Sequence, residues 1–338
     1  MSARPEKILA LQFKYFGDAV LLTPALRALR QHFSNGQLHL LVPGEIAPLF
    51  RHSPAIDRVW PMPRRRGRPL FGQTWPVIRA LRRERFDRSV DFATNDRGAI
   101  LSLLIGARRR LGFDDRGGFL GRRFCYTERV AAAAETQHES ARLAHLLSGW
   151  GIATSSLEPE ICADPALETA AEKLLPPDTI ICHVASSRPK KEWPLACWIE
   201  LYRLAASANR RLIFSTGIGP RERALLDELK RRDPAIPVLP PVPELELFLA
   251  VLKRAKLVIA GDTGPLHFAA ALGVPTIALF GPSPAVQWAP FGQKHRALTG
   301  NACPCNPDEP VCESTQPCMA AISPRQVFAV LMKTLPSW

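Results

Sequence analysis

Val258-Ile259-Ala260-Gly261-Asp262-Thr263-Gly264-Pro265-Leu266-His267 leads through residues 268–273 into Val274-Pro275-Thr276-Ile277-Ala278-Leu279-Phe280-Gly281-Pro282. A short apolar run bounded by Gly-Asp-Thr-Gly reads as a buried strand, 257–260, entering a tight loop. Pro265 then sits where the first turn of a helix tolerates a missing N–H, predicting a short helix over 265–272 and a second strand over 276–280. In the first half, strand, helix and strand within residues 7–42 form a βαβ unit, whose parallel strands need a right-handed crossover. Glycines let the backbone approach a ligand, and the N–H groups of a helix start bind phosphate, so the expected ligand is a pyrophosphate. A cap by Asp262 or Thr263 is the purely structural alternative. It does not explain His267, one turn inside the helix and facing the same cleft.

The alternation extends outward on both sides. Strands over 179–185 and 211–216 alternate with helices over 195–206, 221–231 and 244–254 in the second half. In the first half, strands over 7–13, 38–42, 58–61 and 89–93 alternate with helices over 19–33, 75–83 and 97–106. Between the halves, residues 158–178 carry prolines at 159, 165, 176 and 177 and read as a connection. The fold class is α/β, with two Rossmann-like doubly wound domains, 1–165 and 166–338, and the carboxyl ends of both strand sets facing a central cleft. A terminal helix is expected to pack back on the N-terminal domain.

Composition narrows the class. Of 338 residues, 46% are hydrophobic and 22% charged, the balance of a globular chain that buries real cores. The early apolar run, residues 8–13, is ended by Lys14, and no segment reaches about 18 apolar residues. The protein is thus expected to be cytoplasmic and to meet a membrane only from its surface. Its net charge of +13 is uneven: residues 1–150 hold 25 Lys plus Arg against 13 Asp plus Glu, and the remainder 19 against 18. One domain therefore faces a polyanion, either nucleic acid or an anionic membrane with phosphorylated lipids, unless the arginines are only a solvated face. Nucleic acid is disfavoured, because the basic clusters are not interleaved with stacking aromatics and only three tyrosines occur.

Two further stretches carry chemistry. His183-Val184-Ala185-Ser186-Ser187-Arg188-Pro189-Lys190-Lys191-Glu192-Trp193-Pro194 follows the first strand of the second half. Two hydroxyls and two lysines at a strand's carboxyl end suit phosphate oxygens, although such a loop can also be ordinary surface. Phe16-Gly17-Asp18 opens the first helix, and Asp18 is either its N-cap or a catalytic carboxylate.

Phe16-Gly17-Asp18 with Thr23-Pro24-Ala25-Leu26-Arg27, the segment from Lys191 to Pro194, and Gly261-Asp262-Thr263-Gly264-Pro265-Leu266-His267 together resemble glycosyltransferase family 9, the lipopolysaccharide core heptosyltransferases. The likeness runs over about residues 7–330, and the last motif is its specific part. It implies the GT-B architecture and transfer of heptose from ADP-heptose, with inversion and no metal in the chemistry. By resemblance Asp18 is the base, Ser187 and Lys191, with Ser186 beside them, meet the donor phosphates, and Asp262, Thr263, Gly264 and His267 line the donor site. Glu222, after Gly217 and Gly219, matches a donor-ribose contact. Residues 91–97 look nearer to the third core heptosyltransferase than to the first.

The implied acceptor is an anionic, lipid-linked oligosaccharide of the inner core at the inner face of a bacterial inner membrane. Arg64, Arg65, Arg66 and Arg68, just past a strand end, are the first candidates to hold it, and Arg122 and Arg123 follow. A sugar-nucleotide epimerase of the same architecture and a noncatalytic polyanion binder are the rival readings. Cys303, Cys305, Cys312 and Cys318 fall within 16 residues. They are either ligands to a structural zinc or iron or four reduced loop thiols.

Overall fold

The computed structural model describes residues 4–65, 68, 69, 71–114, 117–132, 137–303, 305, 309, 311, 312, 314, 315 and 317–335. The chain divides into two compact units, residues 1–162 and 163–338, close to the boundary read from the sequence.

The first unit runs β1 (Lys7–Leu11), α1 (Phe16–Leu21), α2 (Thr23–His32), β2 (Gln37–Pro43), β3 (Arg58–Met62), a hairpin of β4 (Arg64–Arg65) and β5 (Arg68–Pro69), α3 (Phe71–Glu84), β6 (Arg88–Asp91), α4 (Asp96–Ile105), β7 (Arg109–Asp114), β8 (Glu128–Ala131) and α5 (Glu139–Leu146). Its main sheet is parallel throughout, in the order β3-β2-β1-β6-β7-β8. β1 is central and covered on both faces, which is why it reads as a continuous apolar run with Ile8, Leu9, Ala10 and Leu11 all buried. Leu9 and Leu11 share a core with Ile78 and Leu81 of α3 and with Leu101 and Ile105 of α4. The connections after β1 and after β6 travel in opposite directions across the sheet, so right-handed crossovers put α1 and α2 on one face and α4 on the other. α5 packs with α1 and α2, and α3 packs beside α4.

The single helix expected over 19–33 is two. Pro24 has no N–H to offer the carbonyl of Val20, and the Thr23 hydroxyl donates to that carbonyl instead, at 2.8 Å. Thr23 Oγ1 also accepts the N–H of Glu160 at 2.9 Å, and Arg27 donates to the carbonyls of Ser156 and Glu158 at 3.3 and 3.0 Å. The Thr23–Arg27 motif therefore pins the start of the interdomain connection to the first unit.

The second unit runs α6 (Glu168–Leu174), β9 (Thr179–His183), α7 (Leu195–Ser207), β10 (Arg211–Ser215), α8 (Pro220–Arg232), α9 (Leu245–Arg254), β11 (Leu257–Gly261), α10 (Gly264–Ala271), β12 (Thr276–Phe280), α11 (Ala285–Trp288), β13 (His295–Thr299) and α12 (Pro324–Thr334). Its five strands are parallel, in the order β10-β9-β11-β12-β13. The connection read as proline-broken contains a helix, α6, which packs on α9, with Arg254 donating to Glu172 at 2.9 Å. α12 packs on α7 of its own unit, and Val327 and Leu331 join the core around Trp193 and Trp198. No helix among the described residues is long and apolar enough to cross a membrane.

Candidate functional site

In the second sheet the chain leaves β9 toward β10 on one side, while β11 and β12 lie on the other. The crevice at the carboxyl ends of β9 and β11 is therefore a topological switch point, where open α/β sheets bind ligands. β9 delivers residues 184–192 there and β11 delivers Asp262, Thr263 and Gly264.

Loop 184–192 is held by Glu192, to which the sequence reading gave no role, and by Arg221. The Ser186 N–H donates to Glu192 Oε1 at 2.9 Å, and Arg221 binds both Glu192 and the Ser186 carbonyl. Ser186 is buried, its hydroxyl 3.5 Å from the Asp262 carbonyl oxygen, whereas Ser187 is exposed. The two lysines diverge: Lys190 is buried, and Lys191 places its Nζ 2.5 Å from Asp262 Oδ2. Gly261 makes this approach feasible, since a Cβ there would lie 2.8 Å from the Lys191 carbonyl oxygen.

Asp262 also has His267 Nε2 at 3.5 Å from its Oδ1. Burial opposes ionisation of this carboxyl, but the hydrogen bond from His267 and the charge of Lys191 outweigh it and hold the group well below the usual carboxylate range. The capping alternative is thereby corrected. Thr263 is the N-cap residue of α10 but its side chain makes no cap hydrogen bond, and the Asp262 carboxylate is engaged by Lys191 and His267. Glu222 stands at the neighbouring edge, after β10, where Oε2 accepts the Gly219 N–H at 3.2 Å. A Cβ at Gly217 would come within 2.3 Å of that carboxylate, so the glycine makes room for it.

In the first sheet the switch point lies between β1 and β6, and α1 carries Asp18 to that edge. Asp18 is buried, and Oδ2 accepts the N–H of Tyr15, the N-cap residue, at 3.3 Å, so Asp18 is not the N-cap read from the sequence but a residue one turn inside α1 that reaches back to it. Lys14 Nζ lies 3.9 Å from Asp18 Oδ1 and 3.6 Å from Oε1 of the buried Glu139, which Arg142 grips at 2.6 and 2.7 Å. Lys14 was visible as the end of the first apolar run. Glu139 and Arg142 were not, because nothing in the sequence reading marked α5.

Residues 91–97, which pointed toward one core heptosyltransferase type, carry the fold. Asp91, fully buried at the end of β6, accepts the Tyr126 hydroxyl at 2.7 Å and the Ala93 N–H at 3.0 Å. Burial drives its carboxyl up to about 6 against the opposing pull of the Tyr126 hydrogen bond. Asn95 Oδ1 caps α4 through the Gly98 N–H at 2.9 Å.

The basic candidates separate. Arg64, Arg65 and Arg68 lie on the β4–β5 hairpin just beyond β3, and Arg66 lies outside the described residues. Arg122 is corrected from a surface cation to a buried one, 6% exposed, donating to the Gly117 carbonyl at 3.3 Å with Asp96 3.9 Å away. Arg123 is exposed, its guanidinium 5.6 Å from the centre of the Phe124 ring. Among the cysteines, Cys305 and Cys312 bring their sulfurs to 3.6 Å, and all four are free thiols, with Cys318 buried. Among the described residues no three or more Cys, His, Asp or Glu side chains are grouped to hold a metal ion.

Residues 74–317 match the family described as Glycosyltransferase family 9 (heptosyltransferase). Lipopolysaccharide heptosyltransferase 1 of Salmonella typhimurium is 26% identical over 316 residues, covering 90% of this chain and 95% of its own. The family 9 glycosyltransferase of Veillonella parvula superposes with a TM-score of 0.83 at 20% identity, covering 98% of this chain and 97% of its own. An E. coli heptosyltransferase solved with ADP-2-deoxy-2-fluoro heptose gives a TM-score of 0.75 at 21% identity, covering 97% and 99%. These likenesses give the chain the GT-B fold of two Rossmann-like domains, and the family match favours transfer over the epimerase and noncatalytic alternatives. With well over half its length matched, the chain belongs to glycosyltransferase family 9, the heptosyltransferases.

Proposed function

We propose that this enzyme moves heptose from ADP-heptose, with inversion, onto an anionic lipid-linked oligosaccharide of the lipopolysaccharide inner core, working in the cytoplasm at the inner face of the bacterial inner membrane. The observation that carries this reading is the Lys191–Asp262–His267 cluster at the switch point of the second sheet, beside the glycine-flanked start of α10. A diphosphate leaving group needs a cation and N–H donors there, and Lys191, the backbone from Gly264 and the hydroxyls of Ser186 and Ser187 supply them. Thr263 and His267 line the same pocket, and Glu222 reaches the donor ribose.

The chemistry follows. An acceptor hydroxyl oxygen attacks the anomeric carbon as that carbon's bond to the β-phosphate oxygen breaks, the bonding pair leaving with ADP. Asp18 takes the hydroxyl proton as general base. Charge on the departing phosphate grows toward the transition state, where Lys191 and the helix start hold it more strongly than in the ground state. Protein groups do the neutralising, so this reading needs no metal in catalysis, and any zinc or iron on Cys303, Cys305, Cys312 and Cys318 is structural. The relative solved with an ADP-heptose analogue supports the donor, and the relative named for lipopolysaccharide supports the acceptor class.

The test is a panel of ADP-, UDP- and GDP-sugars scored for thermal protection and for transfer to a core-truncated acceptor. ADP-heptose should protect most and be consumed. Preferential protection by a UDP-sugar would overturn the donor assignment.

A further inference from the structure

The large apolar side chains that the first unit leaves in water are concentrated. Among its described residues seven are exposed, and all but Tyr15 lie on three adjoining elements: Trp75 on α3, Ile100 and Leu103 on α4, and Phe119, Leu120 and Phe124 around the 3-10 turn Arg122–Cys125. α3 packs beside α4, and α4 packs beside that turn. Leu120 is 104% exposed and Phe124 75%.

One of these helices, α4, breaks the usual pattern. A helix on the outside of an α/β sandwich turns a polar stripe to water. α4 buries Ala99, Leu101 and Ile105, yet its outer stripe, at i, i+4 and i+7, is Asp96, Ile100 and Leu103. α3 shows water Trp75, Arg79, Arg82 and Arg83, at i, i+4, i+7 and i+8. Apolar side chains, a tryptophan and a line of arginines on one face are the pattern of a surface that lies in a lipid headgroup region.

We infer that this face seats the enzyme on an anionic phospholipid bilayer. Phe119, Leu120 and Phe124 enter the boundary between headgroups and acyl chains. Trp75 lies at its rim, and Arg79, Arg82, Arg83 and Arg123 meet lipid phosphates. Charge selects a bilayer over a protein partner, because residues 1–150 carry nearly the whole net +13 of the chain. Position agrees. The segment 117–125 follows β7 and α4 begins after β6, so both stand at the same carboxyl edge as Asp18 after β1. A bilayer on this face would run beside the candidate base, where a lipid-anchored acceptor presents its sugar. Only that last step rests on the function proposed above.

The experiment is flotation of the purified full chain with vesicles of phosphatidylcholine alone and with about 30% phosphatidylglycerol, at about 0.15 M salt and with no acceptor present. The anionic vesicles should carry the protein up. Phe119→Ser/Leu120→Ser/Phe124→Ser should weaken that partition by at least about thirtyfold, leaving ADP binding and the thermal midpoint unchanged. In a second variant, Leu120→Trp, a blue-shifted emission component absent from the parent should appear on adding anionic vesicles. The inference fails if the parent ignores anionic vesicles, if the triple variant floats like the parent, or if the new tryptophan stays in water on bound protein. It also fails if the triple variant dissolves an oligomer while vesicle binding persists, which would make the face a contact between copies. Partition is read without sugar transfer, so an enzyme that floats as described but moves no heptose would sink the proposed function and leave this inference standing.

Discussion

Lys191 Nζ lies 2.5 Å from Asp262 Oδ2, although the two residues are 71 positions apart and reach each other only because β9 pairs with β11. The cation proposed for the donor phosphate is thus oriented before any ligand arrives. Its partner is a buried carboxylate that ionises far more readily than usual, through His267 and Lys191 against the cost of burial. Such a pair ties binding to folding.

Removing one member leaves the other charge stranded, so Lys191→Ala should both weaken ADP binding by at least about tenfold and destabilise the fold by a few kcal/mol. Adding Asp262→Asn removes the stranded charge and should restore much of the thermal stability without restoring ADP affinity. Calorimetric titration and thermal unfolding of the single and double variants separate the two effects. Recovery of ADP affinity in the double variant would show that Lys191 only neutralises Asp262.

The contact Asp18 makes with Tyr15 and the role of base proposed for it can be divided by one substitution. Asp18 Oδ2 accepts the Tyr15 N–H, and an asparagine carbonyl can do the same. Asp18→Asn should therefore fold normally and bind ADP-heptose like the parent, while turnover falls by at least about a hundredfold through loss of the proton acceptor. Single-turnover transfer within a few fold of the parent would remove Asp18 from the chemistry.

Both sheets and the donor loop were legible because central parallel strands are buried on both faces and read as apolar runs: β1, β9, β11 and β12 came within a few residues. The edge strands β3 and β10 were read as well, but β7 and the opposite edges, β8 and β13, were not. β8 and β13 bury one face at most and carry Glu128, Arg129, His295 and Arg296, so no such run marks them. At the sites the sequence exposes the residues of short motifs, such as Asp18 at the start of α1 and Asp262 just past β11. Their partners come from distant segments, as Glu139 and Arg142 do beside Lys14, and only packing brings them in. Arg122 shows the reverse error: a basic doublet reads as surface, yet the first arginine turns inward toward Asp96.

Asp91 makes the stability of the first unit depend on pH. Its carboxyl is raised by burial from the ordinary 3.8 to about 6, so the folded state binds the proton more tightly than the unfolded state. The stabilisation is fully present below about pH 4 and is lost as pH rises through about 6. At neutral pH the buried carboxylate therefore costs on the order of 2–3 kcal/mol. Asp91→Asn, which keeps an acceptor for Tyr126 or Ala93, should gain stability relative to the parent as pH rises from 4 to 7. Parallel melting curves for the two proteins across that range would contradict the assignment.

Because protein groups neutralise the leaving phosphate in the proposed reaction, chelation should leave turnover unchanged. Loss of turnover on chelation, restored by added magnesium or manganese, would refute the protein-only scheme. The same preparation tests the thiols, since an ion held by Cys303, Cys305, Cys312 and Cys318 would lower the melting point when stripped without touching turnover. Elemental analysis showing less than about a tenth of an equivalent of zinc plus iron leaves them as reduced thiols.

The charge asymmetry yields a test that owes nothing to the family. The β4–β5 hairpin follows β3 at the carboxyl edge of the first sheet, the same edge that carries Asp18. If its arginines hold phosphates of the acceptor, replacing Arg64, Arg65 and Arg66 with serine should raise the acceptor KM and leave donor affinity alone. Each lost contact to an anionic group should cost on the order of 1 kcal/mol, and the penalty should grow at low ionic strength, where screening is weaker. Buried Arg122 offers no alternative surface charge, so a triple variant with unchanged acceptor kinetics at low salt would shift the acceptor site toward Arg123 and the turn beside it.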